Sequence, residues 1–341
     1  MVGVLRVCAA LLAGLLLTTT YATAGVELGA LELTPRIDLR AKAGQPMAET
    51  LRVQQAEVDA RFSIGDGQKE WASLAIQGAI ETPMTGRARQ MHFGNLYAVA
   101  NLGVDKPKVK IGQFVVPFGT LAEFDTHSLL LQTPYARTLG IRIDRGASLE
   151  GFRGDWDYWL SLTSGNGRAP HDSGYAAVLR LAHDRELGDD FVRTGFSYLE
   201  GKNMPTFPTS PMPMPMGMDS MVTFADKRRL AVDVDWLHGI DNVRAELVVG
   251  TDGGDRVDGQ WLYYNHPFSF DTSLSVQADR WRQRDGTTYG GGIELRHRLD
   301  DYSGLGFSYE HRWADRELGR NTSADLFTLQ YYREYVWSPD I

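Results

Sequence analysis

From about residue 26 to its end this chain repeats short segments in which apolar and polar residues alternate, and turn-like links separate them. An extended strand sends successive side chains to opposite faces. The series Ala56, Val58, Ala60, Phe62 and Ile64, set against Glu57, Asp59, Arg61 and Ser63, therefore describes a strand with one apolar and one wet side. About sixteen such segments follow one another, among them Lys108 to Val116, Gly146 to Arg153, Asp190 to Glu200 and Arg229 to His238. The links alternate between very short ones, such as Gly154-Asp155, Gly239 to Asp241 and Asp300-Asp301, and long ones, such as 81–92, 117–145, 164–173 and 201–228. A closed antiparallel barrel in an outer membrane needs this pattern, with tight turns on its periplasmic rim and loops on the other. The fold expected is all-β: a transmembrane antiparallel barrel of about sixteen strands spanning 25–341.

The first residues fix the compartment. Arg6, the apolar run Val7 to Leu17 and the small-residue triplet Ala22-Thr23-Ala24 make a signal peptide over 1–24. That run is too short for a helix to cross about 30 Å of hydrocarbon, which takes about 20 residues, and no later segment approaches that length. Export to the outer membrane of a Gram-negative cell follows, with membrane lipid as the first partner. The single cysteine, Cys8, lies inside the signal peptide, so the mature chain has neither disulfides nor thiolate chemistry. The net charge of -8 at pH 7 disfavours nucleic acid as a partner.

Aromatic residues gather at strand ends: Trp156, Tyr158 and Trp159, Trp236, Trp261 with Tyr263 and Tyr264, Trp281, Trp313, and Tyr335 with Trp337. Such rings suit the two interfacial girdles of a membrane barrel.

The segment Val109 to Gly119, containing Gly112-Gln113-Phe114 and Pro117-Phe118-Gly119, resembles the signature strand of the phosphate-selective porin O and P family. The return segment Ile141 to Gly151, with Asp144-Arg145-Gly146, is similar to that family's re-entry strand. The resemblance covers roughly 109–165. It implies a sixteen-stranded, usually trimeric outer-membrane channel whose third external loop, here 117–145, folds into the pore as a constriction.

The residues agree with that placement. Pro117 removes a ladder donor, Gly119 permits a sharp bend, and a link this long needs a surface to pack on. Folded inward, it would bury Leu129, Leu130 and Leu131 and bring its charges to passing solutes. Those charges are Arg137, Arg142 and Arg145 against Glu123, Asp125 and Asp144, with Lys108 and Lys110 on the adjoining strand. Guanidinium groups in a narrow channel hold carboxylates or phosphates by paired hydrogen bonds. The loop has no dense basic run, so the expectation is a passive route for small hydrophilic solutes with a weak anion preference, not phosphate specificity. Strand parity places Arg153, Arg180, Arg193, Arg244, Arg296 and Arg298 on the inner wall, with Glu57, Asp59, Asp233, Asp235, Glu246 and Glu294.

The link 201–228 carries Met212, Met214, Met216 and Met218 between prolines, a composition for an extended external loop. Thioethers in series could take Cu(I), although no histidine or cysteine accompanies them. Asp252-Gly253-Gly254-Asp255 with Asp258 lacks EF-hand spacing but could hold Ca²⁺. Gly290-Gly291-Gly292 lacks a phosphate loop's lysine and provides room for close packing. No cofactor is implied. An enzymatic barrel would need a nucleophile with a histidine, and Ser128 beside His127 would point to opposite strand faces. The remaining alternative is a barrel that sheathes a partner protein or captures metal through the methionine loop.

Overall fold

The computed structural model describes residues 27–45, 50–65, 70–81, 90–103, 106–122, 129–131, 133–167, 174–207, 223–316 and 322–337. The signal peptide, Glu123, Asp125, His127, Ser128 and the methionines 212–218 lie outside these residues.

Sixteen strands run in chain order: β1 Glu27–Gln45, β2 Thr50–Gly65, β3 Glu70–Glu81, β4 Gln90–Asn101, β5 Lys108–Val115, β6 Ile143–Arg153, β7 Trp156–Thr163 and β8 Tyr175–Leu187. The second half is β9 Asp190–Thr206, β10 Thr223–His238, β11 Asp241–Asp252, β12 Asp255–Pro267, β13 Thr272–Gln283, β14 Gly286–Asp300, β15 Ser303–Arg316 and β16 Thr322–Glu334. Each pairs antiparallel with its sequence neighbours, and β1 closes on β16 in the register Arg36 opposite Glu334 through Gln45 opposite Asp325. Closure leaves the sheet without an edge strand, the condition for crossing hydrocarbon with strands. Among the described residues no helix is long and apolar enough to cross a membrane.

The wet and apolar faces separate as the alternation requires. Leu162, Leu230, Val232, Leu247, Val249 and Leu262 are exposed on the outside. Their alternates Ser161, Arg229, Asp233 and Glu246 are buried on the inside. So large an apolar outer surface is unsuited to water and suited to lipid. At the rim of the chain termini this belt ends in Trp71, Trp156, Trp236, Tyr302 and Tyr335. At the other rim Tyr289 stacks on Trp313 with centroids 5.1 Å apart.

Four sequence expectations change here. Trp261, Tyr263 and Trp281 belong to no girdle: they are buried on the inner face, and Trp159 also points inward, beneath the guanidiniums of Arg180 and Arg193. The link 201–228 is shorter than read, because β9 continues to Thr206 and β10 begins at Thr223, with Met204 fully buried. The rim opposite the termini does not carry only long loops, since Gly253-Gly254 and Arg284-Asp285 close tight hairpins. The acids around Gly253 pair with arginines instead of surrounding a cation: Asp252 with Arg229, Asp255 with Arg284, and Asp258 with Arg280 and Arg282.

Candidate functional site

Between β5 and β6 the chain leaves the wall. Pro117 supplies no ladder N–H, and after it a 3-10 turn, Gly119–Ala122, and a one-turn helix, Tyr135–Thr138, are the regular elements among the described residues of the segment. Val116, Phe118, Leu139 and Ile141 are buried against Val178, Leu199, Met204, Val248, Val257 and Trp281, all inner-wall residues. Leu129 packs on Trp261 and Tyr263. The inward aromatics are thus the bed on which this segment lies.

Its polar backbone is held by opposite charges on opposite limbs. On the outgoing limb, acids take N–H groups. Thr120 donates to Glu246 Oε2 through its amide at 2.7 Å and its hydroxyl at 2.9 Å, while the Gly119 amide donates to Ser197 Oγ at 3.0 Å. Further on, the amides of Leu130 and Leu131 both donate to Glu294 Oε2 at 3.1 Å. On the return limb, cations take carbonyls: Lys227 Nζ donates to Leu139 O at 3.0 Å and Arg229 Nε to Thr138 O at 3.0 Å. Arg229 also pairs with Asp252 and covers the ring of Trp281.

Glycine is required where the segment comes closest to the wall. Gly119 has φ +56°, and a Cβ there would strike the Glu246 carboxylate. On the wall, a Cβ at Gly292 would meet Leu131, so of the triple glycine in β14 it is Gly292 that leaves room for this segment.

The predicted selectivity residues separate in space. Arg137 lies 3.9 Å from Asp279, which also pairs with Arg312. Arg142 is half-buried, its Nε without an acceptor among the described residues, while its carbonyl accepts from Val116 N. Lys110 faces inward, pairs with Glu150 at 2.6 Å and lies over the rings of Tyr97 and Phe114. Lys108 is exposed at the start of β5, toward the rim of the termini.

Arg145 is not in the lumen. β6 begins at Ile143, and Arg145 stands opposite Gln113 on the face it shares with Ile111 and Ala147, the outer one. Arg153 shares that parity and also faces outward, opposite Trp156.

Sequence reasoning placed Glu246 and Glu294 inward without giving them a role and missed Lys227, Arg229, Trp261 and Trp281. It also passed over a charge ladder on the β16–β1–β2 wall. There Arg36 bridges Glu57 at 2.6 Å and Glu334 at 2.9 Å, Arg40 pairs with Asp38 at 2.6 Å, and Gln330 donates to Asp38 at 2.9 Å. Deeper in the β8–β10 wall, Arg180 holds Asp233 through two bonds of 2.6 and 2.9 Å. Among the described residues no group of three or more side chains is arranged to hold a metal ion.

No family model and no curated protein sequence matches the chain. Solved structures do. An anion-selective porin from Comamonas acidovorans shares 9% identity with a TM-score of 0.64, covering 91% of this chain and 100% of that one. The trimer form of OmpT, an outer membrane protein of Vibrio cholerae, shares 12% identity at a TM-score of 0.61 over 92% and 100% of the two chains. The outer membrane channel DcaP of Acinetobacter baumannii shares 10% at 0.60 over 92% and 99%. At such identities the likeness is one of fold, and the chain has the fold of the outer-membrane porins, a closed antiparallel barrel of sixteen strands.

Proposed function

We propose that this protein is an outer-membrane porin, a passive route for small hydrophilic solutes and ions, and that residues 116–142 narrow its lumen. The observation that carries the reading is the anchoring of this segment to inner-wall groups by Glu246, Glu294, Lys227 and Arg229. A segment so held reduces the free cross-section and brings charge close to a solute that has shed part of its water. The solute passes between it and the β16–β1–β2 wall, along Arg36, Asp38, Arg40 and Glu57, and then by Lys110 and Glu150.

Nearly every cation on that path has an acid beside it, so the path alone favours neither sign strongly; a weak anion preference is proposed from the segment's arginines, and phosphate specificity is not part of the reading. Arg137 and Arg142 contribute from the segment; Arg145 does not. The relative from Comamonas is titled an anion-selective porin, and OmpT is described in a trimer form. Homotrimeric assembly, export by residues 1–24 and placement in the outer membrane complete the proposal. No catalytic group is assigned.

Reversal potential in a salt gradient across a planar bilayer tests it. Purified protein should give steady conductance and a small potential of the sign for anions, and a non-conducting barrel or strong cation selectivity would refute it.

A further inference from the structure

Where β5 turns into the lumen it leaves a notch in the wall. Pairing of β4 with β5 stops at Leu96 opposite Gln113, although β4 extends to Gln90. The carbonyls of Phe93 and Gly94 consequently lack a strand partner on that side. Gln113 Nε2 donates to both, at 2.7 and 2.6 Å. Arg145, opposite Gln113 in register, donates its Nε to Gln113 Oε1 at 3.1 Å. The notch opens outward as a cleft of about 540 Å³ walled by Phe93, Leu96 and Ile111, with Arg145 and Gln113 at one end.

The cleft has two chemistries. Its apolar walls are exposed on the outer face, and Ile111 is flanked in register by two small residues, Ala98 and Ala147, which leave a trough along it. Its polar end is a guanidinium that, among the described residues, has Gln113 as its side-chain partner and no carboxylate within pairing distance. Gln113 uses one of five N–H donors, and the rest of the fork suits the oxygens of an anion. An arginine on a barrel's lipid face is costly at the midplane and far less so near an interface. Arg145 is the third residue of β6 and lies on the side of the wall away from the termini.

We infer that this cleft binds a net-anionic, phosphate-headed membrane lipid, with the phosphate on Arg145 and one acyl chain along Leu96 and Ile111. Charge complementarity selects the head and the apolar trough selects the tail, so the two ends together specify a lipid over a free anion. The inference rests on the proposed membrane location.

Native mass spectrometry of the full chain in detergent, titrated with dioleoylphosphatidylglycerol or dioleoylphosphatidylcholine, tests it. Wild type should retain phosphatidylglycerol about tenfold more tightly than phosphatidylcholine, the scale of a charge-assisted contact. Arg145→Gln should abolish the preference, Arg145→Lys should keep part of it, and Ala147→Trp, which fills the trough, should weaken both lipids. Variants are compared only as heat-modifiable, folded barrels.

Equal retention of both lipids by wild type would overturn the inference. So would inorganic phosphate competing as well as phosphatidylglycerol, which would mark a simple anion site. A change in oligomer size on Arg145→Gln with lipid retention unaltered would also overturn it, assigning the cleft to a second copy of the chain. A barrel that conducts yet shows no lipid preference leaves the porin reading standing without this site.

Discussion

Thr120 gives both its amide and its hydroxyl to a single oxygen, Glu246 Oε2, at 2.7 and 2.9 Å. A short turn inside the barrel is thereby fastened to β11 by a carboxylate that neighbours the buried Arg180–Asp233 pair. Hydrogen bonds to charged groups contribute about 1.5–3 kcal/mol each. Glu246→Gln should therefore raise the population of released segment by about one to two orders of magnitude. Single-channel records should show larger current fluctuations, and Thr120→Val should do the same. Because the two residues share one contact, the double variant should fluctuate no more than the worse single variant. Additive effects would contradict the pairing.

Arg145 and Arg36 give opposite expectations for selectivity. Arg145→Ala removes an outward charge and should leave the reversal potential in a KCl gradient unchanged. Arg36→Ala leaves Glu57 and Glu334 without their bridging cation on the proposed path and should shift the potential toward cations. A shift from Arg145→Ala equal to that from Arg36→Ala would place Arg145 in the lumen after all.

Trp281 is the largest fully buried side chain in the cluster beneath the segment. Trp281→Ala should cost about 3–5 kcal/mol. The β signal in circular dichroism should persist, while the unfolded band in heat-modifiability gels should appear at a lower temperature. An unchanged melting profile would mean that the ring packs against nothing of consequence.

The Arg180–Asp233 pair is buried and doubly bonded. Asp233→Asn should destabilise by about 3–5 kcal/mol, because it takes from a buried guanidinium the carboxylate that bonds it twice. Replacing both, as Arg180→Met with Asp233→Leu, should recover most of that loss. Thermal unfolding in detergent measures both, and a double variant weaker than the single one would show that the pair contributes net stability.

Much of the barrel was legible in the chain. Period-two alternation and turn chemistry sufficed for all sixteen strands, because a wall wet on one side and apolar on the other admits little else. Errors arose where the alternation is hidden. Trp261-Leu262-Tyr263-Tyr264 is apolar or aromatic at every position, so composition does not say which rings point inward. Only the register, with Gly259 and Val257 on the same inner face, decides it. Pro205 argued for a loop, yet Phe224 pairs with it near the end of β9, where a missing N–H costs little. That misreading also hid Lys227, assigned by sequence to the loop end although it lies in β10.

The candidate site was less legible for a physical reason. Anchors such as Glu246 and Glu294 are ordinary lumen carboxylates until a distant backbone amide arrives, and nothing local marks which one will receive it. Arg145 was read as loop because the sequence-based strand begins at Gly146, three residues after β6 does. Once β6 begins at Ile143, parity alone sends the side chain outward.

The segment 116–142 is proposed to lie within a water-filled barrel and to narrow it. Single-channel conductance in a planar bilayer tests this most directly, comparing wild type with a variant in which 119–138 are replaced by a short Gly-Ser linker. The expected result is a folded, heat-modifiable barrel whose conductance rises severalfold. Conductance equal to wild type from such a barrel, or none from either protein, would contradict it.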